Sequence, residues 1–172
     1  MRQWNGRTSA PLRLLGGQGV WLLKQDQYRA VHVLNGLIET TIDSVRGYEQ
    51  AAELALNPRF KAVFEERALA RRELTGELET QVRASGGRPL TAGSVIGPVH
   101  RAFLSLRDRV SGQTDRPIIE EIERGEAFIR DQFDKAASDE SLPEVARHLV
   151  TRAGGHIRED HDEITGLRAE FH

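Results

Sequence analysis

The chain of 172 residues contains no cysteine. That single absence removes disulfides, thiolate nucleophiles, zinc fingers and cysteine-ligated clusters. No apolar run approaches the roughly 20 residues needed to cross a bilayer. The one signal-like stretch, residues 11–23, is broken by Arg13, Gly16-Gly17 and Gln18 and lacks a small-residue cleavage site. A cytoplasmic protein with no membrane partner is therefore expected. A charge excess of one sign is missing too: Lys+Arg 24 against Asp+Glu 26 leaves a net charge of −2. That balance argues against a whole-surface nucleic-acid binder. Arg2, Arg7 and Arg13 supply too few charges for more than weak, salt-sensitive contact with DNA.

Alternating strand patterns are also absent, which leaves an all-α class. Residues 1–25 carry four glycines and no helical period, and are expected to form a flexible leader ahead of a single bundle domain over residues 26–170. A first long helix is predicted over 26–56, with Leu34, Ile38, Thr41, Ile42, Val45, Tyr48 and Ala52 in one band. Asn57-Pro58 ends it, because proline cannot continue the hydrogen-bond ladder. A second helix over 58–85 presents Phe60, Phe64, Leu74, Leu78 and Val82, and Gly86-Gly87 stops it. A connection this short implies an antiparallel hairpin. A shorter helix is predicted over 94–110, and a third long helix over 117–137, with Asp115 as its cap and Pro117 in its first turn. A fourth, over 142–170, carries Val145, Leu149, Ala153, Ile157, Ile164 and Leu167 on its apolar face.

Hairpin, long crossover with a short extra helix, hairpin is the connectivity of ferritin-like four-helix bundles. Those bundles hold two metal ions with one inward Glu from each of two helices and an inward Glu-x-x-His from each of the other two. The present sequence has no Glu-x-x-His. At about 100° per residue, Arg67 and Arg71 fall near the centre of the second helix's apolar stripe. Glu126 falls near the centre of the third, and His156 and Asp160 share the apolar face of the fourth. An arginine cannot ligate a metal, and a buried one must be paired. The spacing thus predicts a buried ion network of Arg67, Arg71, Glu126 and Asp160. The competing reading is an iron or manganese site built from Glu39, Glu123, Glu126 and His156 or His161.

Four strings carry a resemblance: LNGLIETTIDSVRGYEQAAE from residue 34, GSVIGPVHR from 93, IIEEIERGE from 118 and HDEITGLR from 161. Together they resemble a bacterial family of ferritin-like four-helix-bundle proteins of unknown function, often described as stress proteins. His100-Arg101, the Glu-Arg-Gly-Glu string at 123–126 and His161-Asp162 are its most specific pieces. The resemblance implies the fold and an interior that by descent held metal, but it brings no reaction and no catalytic residue with it. The expected function is a non-catalytic, stress-associated or scaffolding protein, a homodimer or larger homo-oligomer without a cofactor. The alternative is a metal-binding oxidoreductase or iron-handling protein using iron or manganese.

Overall fold

The computed structural model describes residues 17–91 and 114–169. Four long helices make up these residues: α1 (Gly17–Leu54), α2 (Pro58–Ala84), α3 (Arg116–Ala137) and α4 (Glu144–Ala169). No strand occurs among them. The short helix expected over 94–110, with His100 and Arg101, lies outside the described residues, as do residues 1–16.

Local chemistry sets the boundaries. Asn57, at φ −83° and ψ 119°, caps α2 by accepting from the Arg59 N–H at 2.9 Å, and Pro58 fills the first turn. At the other end Gly86, at φ 74°, turns the chain. There the Gly87 N–H reaches the Val82 carbonyl and the Gly86 N–H the Arg83 carbonyl, both at 2.9 Å, the paired bonds of a Schellman cap. The α1 helix begins at Gly17, well before the expected residue 26. The glycines there weaken the periodic signal, but a glycine costs only about 1 kcal/mol within a helix that is already propagating.

Asp115 stands at the expected N-cap of α3, but its side chain is engaged elsewhere. It makes no side-chain cap bond to its own helix. Instead its two carboxylate oxygens accept the Leu56 N–H at 2.7 Å and the Asn57 N–H at 2.8 Å. These donors lie between α1 and α2, where no helix supplies a carbonyl. The start of α3 is thereby fastened to the α1–α2 turn. Val145 departs from its place: it is 68% exposed, while Leu142 and Ala146 are buried instead. Helix α4 starts only at Glu144, and Leu142 closes that end of the core from the preceding turn.

The buried apolar residues form two clusters. One joins Leu34, Ile38 and Ile42 of α1 to Leu78 of α2, Phe133 of α3 and Val150 and Ile157 of α4. The other joins Tyr48 and Ala52 to Phe60 and Phe64, Ile118 and Ile122, and Ile164 and Leu167. Read in order of residue number, α1 and α4 run from the first cluster to the second, while α2 and α3 run the opposite way. The contacts are densest within the pairs α1–α2 and α3–α4, with α1 also on α3 and α2 on α4. After α2, Asn35 holds the Leu90 N–H and donates to the Arg88 carbonyl. Residue 91 is thus near the first cluster and Asp115 near the second.

Candidate functional site

Between the two clusters the apolar stripe is interrupted on α2, α3 and α4, while on α1 the buried Val45 fills the space. Ile42 and Tyr48 flank this level on α1, Ala68 and Leu74 on α2, Ile122 and Ile129 on α3, and Ile157 and Ile164 on α4. Charged groups fill the gap on three of the helices. Arg71 is 3% exposed and Glu126 1%. The Arg71 Nη2 donates to Glu126 Oε2 at 2.9 Å and Oε1 at 3.2 Å. The same nitrogen lies 2.9 Å from Asp160 Oδ2. Arg67 approaches from one turn earlier, its Nε 3.0 Å from Asp160 Oδ1. Asp160 therefore bridges two guanidiniums, and Arg67 pairs further with Glu163 at the rim.

The electrostatics follow from burial. Burial pushes the Glu126 carboxyl above its ordinary pKa, and the neighbouring Arg71 opposes the shift only in part. For Arg71, burial works against the charge, but the fields of Glu126, Tyr48 and Asp160 outweigh it and hold the guanidinium above its usual value. Tyr48 is raised well above the usual phenol range, first by burial and then by the charge of Glu126. Its hydroxyl lies beside Glu126 yet makes no well-formed hydrogen bond. Thr41, also buried, is satisfied locally by donating to the Leu37 carbonyl at 2.7 Å and takes no part in the layer.

The residues of the metal reading lie apart. Glu39 is exposed on α1. Glu123 pairs with Arg168 at 2.7 Å. His156 is 68% exposed and meets only Glu159, at 3.3 Å. The sequence placed it on the apolar face with Asp160, but only Asp160 turns inward. His161 is half-buried, with Asp162 3.5 Å from its Nδ1. Among the described residues no three His, Asp or Glu side chains converge as a metal would need.

Glu126 and Asp160 stand in the middle layer, where a metal-holding bundle keeps its ligands, but both face guanidinium groups. The donor set does not fit a metal ion, because Arg71 occupies the space between the two carboxylates and is itself no ligand. An arginine of raised pKa cannot serve as a proton donor or acceptor near neutral pH either. What the arrangement does chemically is hold α2, α3 and α4 at one level through directional, charge-assisted bonds.

Two participants escaped the sequence reading. Glu163 follows Asp160 by three residues, a spacing that puts both on one face within reach of Arg67. Tyr48 was visible as a core aromatic, but its hydroxyl's place beside Glu126 depends on how α1 packs against α3. Glu49 of α1 pairs with Arg72 on the surface and stays outside the layer.

Residues 29–139 match a family model described as a domain of unknown function, DUF2383. No curated protein matches the chain. Among solved structures it is similar to a point mutant of Mycobacterium smegmatis Dps1, at 12% identity and a TM-score of 0.69. The match covers 84% of this chain and 97% of that one. At that identity the likeness establishes the fold, a ferritin-like four-helix bundle, and no more.

Proposed function

We propose, for a chain that belongs to the DUF2383 family, a non-catalytic role as a stress-associated or scaffolding bundle. Its interior layer locks the helices together where related architectures hold metal. The observation that carries this reading is the Arg71 guanidinium, 2.9 Å from both Glu126 and Asp160. Two fixed positive charges take the place of two cations, so the inward carboxylates are neutralised without a metal. The association with stress rests on the family resemblance alone.

A scaffold acts through its surface, and we place this one in the cytoplasm as a homodimer or larger homo-oligomer. Tyr28, Leu69, Phe128 and Val145 are large apolar side chains exposed on the described surface, and they supply apolar area for such contacts. No helix is long and apolar enough to cross a membrane among the described residues.

The test is metal analysis of the purified full chain after loading with iron(II) and with manganese(II), paired with light scattering for the assembly state. Metal near zero per chain and a discrete oligomer are expected. One or two ions per chain, lost in Glu123→Ala or His161→Ala, would overturn the reading in favour of an iron-handling or oxidoreductase protein. A strict monomer would remove the assembly part alone.

A further inference from the structure

A cleft of about 580 Å³ opens between α1 and α3, with Tyr48 and Glu126 among its lining residues. It exists because the facing positions are small. Gly36 and Gly47 lie on α1 and Gly125 on α3, and a Cβ added at Gly36 or Gly125 would meet nothing within 4 Å. One wall is apolar, made by Ile122, Ile129 and Phe128, the last 59% exposed. The opposite wall carries Glu39 and Asp43, which at i,i+4 stand on one side of α1.

One polar atom at this cleft lacks a hydrogen-bond donor among the described residues. Asp43 Oδ1 is buried and accepts no hydrogen bond. The nearest cation, Arg46 Nη1, stands 3.8 Å away. Burial raises the Asp43 pKa; Arg46 opposes that rise and Glu39 adds to it. The Tyr48 hydroxyl, on a side chain only 1% exposed, is turned to Glu126. The remaining charges at the mouth largely cancel, because Arg124 is paired with Glu121. An apolar slot with a negative wall and a buried carboxylate oxygen that accepts no hydrogen bond is a surface shaped for a ligand.

We propose that the α1–α3 cleft binds an organic cation with an apolar body, its ammonium or guanidinium group against Asp43 and Glu39 and its hydrocarbon part on Ile122, Phe128 and Ile129. The charge of the wall selects the sign. An anion would be repelled by both carboxylates, and a neutral apolar molecule would leave Asp43 Oδ1 buried without a donor. A bare metal ion would leave the apolar wall wet, and two of the four lining carboxylates, Glu121 and Glu126, are already paired with Arg124 and Arg71.

The probe is n-octylammonium, titrated calorimetrically into the full chain, with n-octanoate and n-octanol as comparators. Saturable binding of n-octylammonium is expected, with no binding of n-octanoate and weaker binding of n-octanol. Asp43→Asn should weaken n-octylammonium binding by about tenfold, the worth of one charge-assisted hydrogen bond. Gly125→Leu fills the slot and should abolish binding while leaving the helical signal intact, since nothing stands in its way. Absence of binding, equal binding of all three probes, or an unchanged affinity in Asp43→Asn would overturn the proposal.

Discussion

Replacing Glu126 by alanine removes one partner from a buried pair and leaves Arg71, 3% exposed, with half its anchorage. Breaking a buried ion pair from one side costs about 3–5 kcal/mol, because the remaining charge stays desolvated. Here Arg71 keeps Asp160 at 2.9 Å, so the lower end applies and about 3 kcal/mol is expected. For a domain of this length each kcal/mol moves the melting temperature by about 2–4 °C, giving a fall of about 6–12 °C. Urea unfolding followed by far-ultraviolet circular dichroism measures the difference, with an unchanged m-value as the check on two-state behaviour. Glu126→Gln keeps the shape and an acceptor oxygen. Burial already disfavours the charged carboxylate, so that variant should lose only about 1 kcal/mol, one neutral hydrogen bond's worth. The double variant Arg71→Met/Glu126→Leu removes both charges and should be more stable than Glu126→Ala. A loss below about 1 kcal/mol for alanine, the range of an exposed pair, would refute the reasoning.

Three further outcomes follow from the described contacts. Asp115→Ala strands the Leu56 and Asn57 N–H groups and should cost about 1–3 kcal/mol in the same urea experiment; no change would mean that water replaces the carboxylate. Gly86→Ala should destabilise by about 1 kcal/mol or more. The position is at φ 74°, and its Cβ would come 2.4 Å from Gln27 Nε2; a neutral result would show that the Schellman turn relaxes. Asp139 is held below its ordinary pKa, first by the Ser141 side chain and then by the Ser141 N–H. The native state thus binds fewer protons there than the unfolded chain. The stability it adds is present above the unfolded value of 3.8 and is lost as pH falls through the lower folded value. The gap between the chain and Asp139→Asn should accordingly close on acidification below that range, and a gap independent of pH would count against it.

The helices were legible because their stripes are nearly continuous, and a stripe needs only its own helix to be recognised. Phe60, Phe64, Leu78 and Val82 are buried as their 3.6-residue period requires. The same reasoning picked out Arg67, Arg71, Glu126 and Asp160, since a charge at the centre of an apolar stripe has nowhere to go except to a partner. Less legible was whatever depended on a neighbouring helix. His156 and Asp160 differ by only about 40° on the wheel, and which of them turns inward depends on the packing of α4 against α2 and α3. Asp115 carries every local mark of a cap, yet its carboxylate serves the turn between two other helices. Val145 lies about 100° around the helix from Ala146, and it is Ala146 that turns inward.

What joins Arg71 to Glu126 is the height of each along the bundle, and that too has a readable origin. Asp115 fastens the start of α3 to the turn that starts α2, so both helices can be measured from one end. Arg71 lies 13 residues beyond Pro58 and Glu126 lies 10 beyond Arg116. At about 1.5 Å per residue these are heights of about 20 and 15 Å. The long arginine side chain, pointing back toward its helix N-terminus, spans the difference. The capping contact therefore does more than close a turn: it sets the register that lets a guanidinium on α2 meet a carboxylate on α3. On this account Asp115 and Glu126 are coupled although they do not touch. Asp115→Ala should loosen that register, and the cost of Glu126→Ala should then be smaller in the Asp115→Ala background. Strict additivity of the two losses in a double-mutant cycle would show that the register is held by the apolar clusters alone.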